Sequence, residues 1–567
     1  MTKTKTAEPR YLPFHSFRHL VSTLAAHGDK LAFRFPVGKS YGEMTYAEFA
    51  GTVTAIAAGL ESAGLAGKRI AIIGETSPRW VATYLAVTAA GGVIIPMDKE
   101  LAIGEIEGLL ASVEAHAIVY AESFHKKLEH AREEHPSLQL FLPISGVEAE
   151  EGSNILPLDK ILEEGKKSLS EGYVLPERNH EDLAVMLFTS GTTGSSKCVM
   201  LSEKNLCATA NSACETVNFS KADTTVSVLP LHHTYEMTIM LASLNIGITI
   251  GINDSLRHLL RNFAEFKPTG LVLVPLFVNT IYKRIWDEAR KKGKDKLLLR
   301  MIKISNGMRK LHIDLRRKLF GSVLGAFGGN LEKIVCGGAP LNPEMVRNFD
   351  AFGVQVCEGY GITECSPLIS VTPWRAPKPG SVGPAVPCCT ARIEKNGQVN
   401  DKGFEEGEIQ IKGDNVMLGY YNNPTENEKA FTADGWYRTG DVGFMDADGY
   451  IYITGRMKSV IVLENGKNVF PEEIEEYLEG IEEIAESVVV GRKDTDGETV
   501  LLTAIVFPNR EIFPEGTDQK VVYDAIYAKL LELNKKLPSF KKLKGLELRD
   551  TEFEKTTSRK IKRHLVK

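Results

Sequence analysis

LAVMLFTSGTTGSSK, residues 183–197, carries an apolar run straight into a loop of Thr, Ser and Gly that ends in Lys197. The first half reads as a buried strand. The second half has the chemistry of a polyphosphate cradle. Glycines let backbone N–H groups close on an anion, hydroxyls donate hydrogen bonds, and the lysine adds a point charge. It is not a Walker A loop, because G-x-x-x-x-G-K-[ST] cannot be fitted to it. Taken alone, such a loop reads more readily as a flexible surface turn, so its meaning depends on what surrounds it.

On either side of that stretch, short β-branched runs alternate with longer helical ones. Arg69–Gly74, Gly92–Pro96, Val226–Leu229, Leu271–Pro275 and Lys333–Cys336 are expected strands, and Trp80–Ala90 is an expected helix. Strands separated by helices imply crossovers and mainly parallel sheets covered on both faces. Beyond about residue 385 the texture changes to short alternating strands at Ala391–Glu394, Gly407–Lys412 and Tyr450–Thr454. Asp446–Gly449 reads as a hairpin turn; an EF-hand would need a downstream Glu that is missing. From Pro471, PEEIEEYL predicts an amphipathic helix with proline in its first turn and acids beside its positive end. A small α+β domain is expected after about Gly455.

Length and composition fit this picture. A chain of 567 residues holds about three or four domain-sized units. With 43% hydrophobic and 25% charged residues it has ordinary soluble, globular usage. Lys+Arg 68 against Asp+Glu 73 gives a net charge of −5, which argues against a nucleic-acid partner. The eight cysteines show no zinc spacing and read as reduced, mostly buried thiols of a cytoplasmic protein. MTKTKTAEPR lacks an apolar signal core. The uncharged run Trp80–Met97 is long enough to span a bilayer, but Gly91-Gly92 and Pro96 interrupt it, so no transmembrane helix is predicted.

Phe188-Thr189-Ser190-Gly191-Thr192-Thr193-Gly194 followed by Lys197 closely resembles the phosphate loop of the adenylate-forming superfamily. That superfamily contains acyl-CoA synthetases, luciferase and the adenylation domains of peptide synthetases. Further blocks resembling its motifs follow in order. The resemblance implies that Thr189 to Gly194 and Lys197 hold the phosphates of ATP. In LPLHHTYE (229–236) it places His233 and Tyr235 beside the acyl carboxylate, with His233 an orienting donor. CGGAPL (336–341) and EGYGITECSP (358–367) resemble the adenine-binding segments, implying roles for Gly338, Ala339, Pro340, Glu358, Gly359, Tyr360 and Gly361. Tyr360 offers a ring to stack on the base. Thr363 is implied at the α-phosphate and Glu364 at Mg²⁺, a hard cation suited to carboxylate and phosphate oxygens.

WYRTGDVG (436–443) brings Asp441 to the ribose hydroxyls. GRMKS (455–459) matches the interdomain junction, with Arg456 on the nucleotide and Lys458 as hinge. ENGKNVFPEEIE (464–475) resembles the stretch lining the pantetheine tunnel, with Gly466 and Lys467, and TTSRKIKR (556–563) carries the catalytic lysine, Lys560. The implied fold is α/β. A large N-terminal domain, residues 1–455, has mainly parallel sheets plus a distorted β-barrel. A small mobile α+β domain, residues 456–567, carries Lys560. Two departures stand out. Ser196-Lys197-Cys198 replaces the usual Pro-Lys-Gly, and Arg559 replaces a glycine before the catalytic lysine. Neither removes a reacting group, so altered rates are expected rather than a dead site.

The implied chemistry has two steps: a carboxylate attacks the α-phosphate of ATP to give an acyl-adenylate and pyrophosphate, then coenzyme A takes the acyl group and AMP leaves. Lys560, His233 and Glu364 are the expected catalytic residues. Residues 283–318 hold fourteen Lys/Arg and four Asp/Glu, with apolar Leu297, Leu298, Met301, Ile302 and Ile304 at helical spacing. This segment resembles an insertion of long-chain acyl-CoA synthetases, so a medium- or long-chain fatty acid is the expected substrate. A basic amphipathic surface fits peripheral contact with the inner membrane face; a solvated basic helix fits equally well. An aryl-CoA ligase, an acyl-carrier-protein ligase and a non-catalytic lipid- or nucleotide-binding relative are the alternatives. Pyrophosphate release separates the catalytic readings from the last.

Overall fold

Arg69–Ile73 pairs in parallel with Val93–Pro96 on one side and Ala117–Tyr120 on the other. The computed structural model describes residues 10–134, 137–148, 152–189, 196–400, 403–463, 468–493, 500–556 and 561–566. Ser190, Gly191, Thr192, Thr193, Gly194, Gly466, Lys467 and Lys560 therefore lie outside the described residues. The three strands are the middle of a seven-stranded sheet. Leu183–Thr189, Lys197–Ser202 and Gly419–Tyr420 extend one side and Leu140–Pro143 closes the other.

The crossover from Arg69–Ile73 is helix Pro78–Ala89. Ser77 caps it by accepting the Trp80 N–H at 3.2 Å, and Pro78 sits at its first position, where no N–H is needed. The helix is buried on every side, packed against Tyr46–Ser62 and Phe17–Ala26. This burial accounts for the absence of charge from Trp80 onward. Among the described residues no helix is long and apolar enough to cross a membrane.

A second sheet runs Ser40–Thr45, Leu31–Val37, Thr249–Ile252, Thr224–Ser227, and a third runs Gly270–Leu273, Lys333–Gly337, Gln355–Gly361, Leu368–Val371. Their edges meet where the Thr269 N–H donates to the Thr224 carbonyl at 2.9 Å. The buried pair Lys333–Asp223, at 2.9 Å, ties the same corner. Cys389–Val399, Glu405–Gly413, Tyr437–Met445 and Ile451–Arg456 form a four-stranded antiparallel sheet in the region where the barrel was expected. Its last hairpin turns at Asp446, whose carboxylate accepts the N–H groups of Asp448 and Tyr450 at 3.0 Å each. The cation beside this turn is the Lys378 ammonium, 2.6 Å from Asp446 and 2.7 Å from Asp448.

The C-terminal residues build a separate, smaller core. Strands Ile484–Lys493, Val500–Pro508 and Gly545–Leu548 pack on helices Pro471–Leu478 and Gln519–Asn534 through Ile474, Leu478, Val489, Leu502, Ile526 and Leu530. Each such side chain, fully buried, contributes about 1.5–3 kcal/mol of apolar transfer.

The basic segment forms helices Pro275–Lys291, Asp295–Lys310 and Arg316–Leu319, the first two separated at Gly293 with φ +62°. Its charges divide three ways. Lys283 meets Glu511 at 2.9 Å and Arg290 meets Glu482 at 2.8 Å, both on the C-terminal unit. Arg309, Arg316 and Arg317 pair with Asp350, Asp350 and Glu332 of the larger body. Lys296, Arg300, Lys303 and Lys310 have no ion pair among the described residues.

Candidate active site

The polar C-terminal ends of the central strands open into one continuous cleft, bounded on its far side by residues of the C-terminal unit. Strands Leu183–Thr189 and Lys197–Ser202 are antiparallel, with Thr189 opposite Lys197, and the Thr189 hydroxyl donates to the Lys197 carbonyl at 3.4 Å. The two residues thus stand side by side at the mouth of the phosphate loop. The Lys197 ammonium is bonded to Glu426 and lies 4.9 Å from the centre of the Tyr420 ring. Lys197 in turn holds the Glu426 carboxyl down at about 2, with Lys429 adding to the effect.

Glu364 sits in the short turn Thr363–Cys365 on the wall of this cleft. The Tyr420 hydroxyl donates to its Oε1 at 2.9 Å, and the Met417 N–H donates to its main-chain carbonyl at 2.9 Å. Among the described residues no three His, Cys, Asp or Glu side chains converge as a metal cage. One oriented carboxylate fits a cation that takes most of its other ligands from phosphate and water.

The two segments that resemble adenine-binding motifs are adjacent strands. Gly337 lies opposite Gly359 in the parallel ladder, and a Cβ on Gly337 would stand 3.1 Å from both the Gly359 carbonyl and the Tyr235 hydroxyl. Gly338, Ala339, Pro340, Glu358, Gly359, Tyr360 and Gly361 all line the cleft. Tyr360 is buried, and its hydroxyl donates to Asp441 Oδ2 at 2.6 Å. Asp441 is itself 3% exposed and lies opposite Arg456 across the hairpin, with Arg456 Nε 3.0 Å from Asp441 Oδ1. A carboxylate keeps further lone pairs beyond these two bonds, so Asp441 remains an acceptor for hydroxyls. Burial raises the Glu358 carboxyl to about 7, with Glu476 of the C-terminal helix adding to the rise.

His233 and Tyr235 follow from the start of helix Thr234–Ile246, whose N-cap is His233. Both line the cleft. The Tyr235 hydroxyl donates to the Leu273 carbonyl at 3.4 Å, which makes Tyr235 a wall as much as a contact. One residue on, Glu236 points inward to the Ser227 hydroxyl. Burial lifts its carboxyl to about 8, opposed by bonds from Ser227 and the Leu229 backbone. The unfolded chain releases this proton near the ordinary 4.5 and the folded chain holds it to about 8. Stability from this group therefore falls as pH rises through that window. Glu236→Gln is expected to flatten the decline in melting temperature between pH 5 and pH 8 by a few degrees. Parallel melting curves for the two proteins would contradict it.

The far wall carries Arg456, Met457 and Lys458, and then Glu472, Glu475, Thr556, Ile561, Lys562 and Arg563. Arg563 is bonded to Glu475 and lies 3.8 Å from Glu472. The structure thus groups Thr189, Lys197, His233, Tyr235, Gly338 to Pro340, Glu358 to Gly361, Thr363, Glu364, Asp441, Arg456 and Lys458 around one cleft. The sequence reading missed Tyr420, Glu426 and Asp98, which touch Glu364, Lys197 and His232. Their partners lie 56, 229 and 134 residues away along the chain, and no local pattern marks them.

Comparison with known proteins places these features in context. The AMP-binding enzyme family matches residues 20–421, and the AMP-binding enzyme C-terminal domain matches residues 458–567. Long-chain-fatty-acid–CoA ligase FadD15 of Mycobacterium bovis is 30% identical over 470 residues, covering 79% of this chain and 75% of that protein. Human long-chain-fatty-acid–CoA ligase 6 is 28% identical over 577 residues, covering 95% and 82%. The crystal structure of ATP-bound MatB from Rhodopseudomonas palustris superposes with a TM-score of 0.73 at 26% identity, covering 97% of this chain and 98% of that one.

Proposed function

The chain belongs to the AMP-binding enzyme family, and from that premise we propose that it is an acyl-CoA ligase that joins a medium- or long-chain fatty acid to coenzyme A through an acyl-adenylate. One observation carries the reading beyond membership. Thr189, Lys197, Glu364, Asp441 and His233, which come from four separate motifs, line the same cleft.

Asp441, with Tyr360 and Arg456 fixing its orientation, receives the ribose of ATP. Thr189 and Lys197 face the phosphates, and Lys197 exchanges Glu426 for them when ATP enters. His233 orients the acyl carboxylate toward the α-phosphate. Adenylation brings two anions together, so the site must concentrate positive charge, and Lys560 with Lys197 supplies it electrostatically. Glu364 is the residue that would hold Mg²⁺, which when bound neutralises charge on the phosphates. The domain from residue 456 then turns about Lys458, withdrawing Lys560 and presenting Gly466 and Lys467 to the pantetheine arm. Such a rotation runs two reactions in one site and shields the adenylate from water. Carboxylate-dependent exchange of labelled pyrophosphate into ATP tests the reading, and no exchange with any acid of two to sixteen carbons would overturn it. Asp441→Ala is expected to raise the KM for ATP roughly tenfold or more, the scale of losing hydrogen bonds to a charged group, with the KM for the acid little changed. An unchanged KM for ATP would remove Asp441 from the ribose.

We place the protein in the cytoplasm, in peripheral contact with the inner membrane face. Within residues 283–318 the surface that supports this contact is narrower than the charge pattern implies. Leu297, Ile304 and Leu311 are 48%, 51% and 69% exposed, and they share the outer face of the helical region with Lys296, Arg300, Lys303 and Lys310. Exposed aliphatic groups between unpaired cations complement an anionic bilayer, each cation being worth about 1 kcal/mol near such a surface. The protein is expected to co-sediment with vesicles containing phosphatidylglycerol and not with pure phosphatidylcholine. The triple variant R300E/K303E/K310E is expected to stay in the supernatant. Equal sedimentation of both proteins would contradict the contact.

A further inference from the structure

We propose that Asp98 and His232 are a positioning pair that holds the ring of His233 at the carboxylate end of the acyl site. The inference rests on the reading of His233 given above and adds two residues to it.

Asp98 is placed by the interior of the largest sheet. It follows strand Val93–Pro96, which lies inside the seven-stranded sheet between Arg69–Ile73 and Leu183–Thr189. The Met97 N–H continues that ladder by donating to the Ile72 carbonyl at 2.9 Å. Asp98 thus stands at the carboxyl ends of the parallel strands, where open α/β sheets present their ligand-contacting residues.

His232 approaches from the neighbouring subdomain on LPLHHTYE. Its backbone neighbourhood is pinned. The His233 N–H donates to the Pro230 carbonyl at 3.1 Å, and the Met237 N–H donates to the His233 carbonyl at 3.2 Å. The two side chains meet with His232 Nε2 3.6 Å from Asp98 Oδ2, at exposures of 11% and 15%. That nitrogen is buried and has no hydrogen-bond partner among the described residues. An approach of about 0.6 Å converts the contact into a hydrogen bond of ordinary length. A buried polar nitrogen left without a partner costs free energy, so the closer contact is favoured.

The ring of His232 is also in contact with that of His233, centroid to centroid 4.2 Å and tilted by 51°. His233 cannot swing away on that side unless His232 moves, and His232 cannot move without leaving Asp98. Burial, with His233 and Lys99 nearby, pushes the His232 imidazole well below its usual range. The neutral ring carries one N–H, and the Asp98 carboxylate fixes it on Nε2. The pair therefore acts through His233 and contacts no reacting atom in this account.

The test uses the full chain and measures pyrophosphate exchange as a function of acid and of ATP, and thioester formation from supplied acyl-adenylate. Asp98→Asn and His232→Ala are expected to raise the KM for the acid roughly tenfold, the scale of a misplaced contact at a reacting group. The KM for ATP and the thioester rate should stay within about twofold. His232→Gln, which can place an amide N–H where Nε2–H stood, is expected to recover most of the loss. An unchanged acid KM in Asp98→Asn and His232→Ala, with His233→Ala impaired, overturns the pair and leaves His233 in place. An unchanged acid KM in His233→Ala overturns the reading of His233, and the pair with it. A parallel loss in all three measurements without recovery by His232→Gln assigns the residues to folding alone and also overturns the proposal.

Discussion

Lys560→Ala is expected to lower acyl-adenylate formation by about two to three orders of magnitude, the scale of losing one preorganised donor at developing charge. Thioester formation from supplied acyl-adenylate should change by no more than a few fold. The asymmetry follows from the order of the chemistry. In the first step an anionic carboxylate meets an anionic phosphate, and a cation at their junction acts where charge develops. In the second step a thiol attacks a carbonyl that is already activated, and under the proposed rotation the domain carrying Lys560 has turned away. Thr556 and Ile561, which flank the lysine's stretch, line the cleft, and Lys555 is bridged to Ile561 in antiparallel fashion. Lys555 is further held by Glu552 at 2.7 Å. Equal loss in both half-reactions would contradict the rotation about Lys458.

Glu364→Gln is the second large effect expected. Glutamine keeps an oxygen for the Tyr420 hydroxyl, which now donates to Glu364 at 2.9 Å, so the wall of the cleft is preserved while its negative charge is lost. Adenylation is expected to fall about a hundredfold or more, and the magnesium concentration for half-maximal exchange to rise by a similar factor. The KM for the acid should move little. A variant with lower activity but an unchanged magnesium requirement would take Glu364 out of the metal role. It would leave the residue a partner of Tyr420 only.

Much of the fold and of the motif set was legible because it is written locally. The buried run Arg69–Gly74 read as a strand, and it forms Arg69–Ile73. Pro471 opens its helix as expected, and Asp446–Gly449 turns its hairpin. Gly337 packs its strand against the Gly359 carbonyl and the Tyr235 hydroxyl, where any side chain is crowded, and nothing in the local sequence marks either neighbour. What the sequence could not show is which distant side chain completes each contact. Glu426 reaches Lys197 and Tyr420 reaches Glu364 because the edge strand Gly419–Tyr420 joins the sheet beside Lys197–Ser202. The basic segment shows the same limit. Its charge was plain, but that Lys283 and Arg290 serve the C-terminal unit depends on where Glu511 and Glu482 arrive.

One cleft, on the function proposed above, makes an acyl-adenylate and passes its acyl group to coenzyme A. Mass-spectrometric product analysis with ATP, Mg²⁺, coenzyme A and a panel of acids from acetate to palmitate, with benzoate included, reads both half-reactions at once. AMP, pyrophosphate and an acyl-CoA of eight to sixteen carbons are expected in equal amounts. Acyl-AMP accumulating without thioester would assign the acceptor to a carrier protein, and benzoyl-CoA as the main product would assign the acid pocket to aryl substrates. No AMP with any acid would rule out adenylation and with it the proposed ligase.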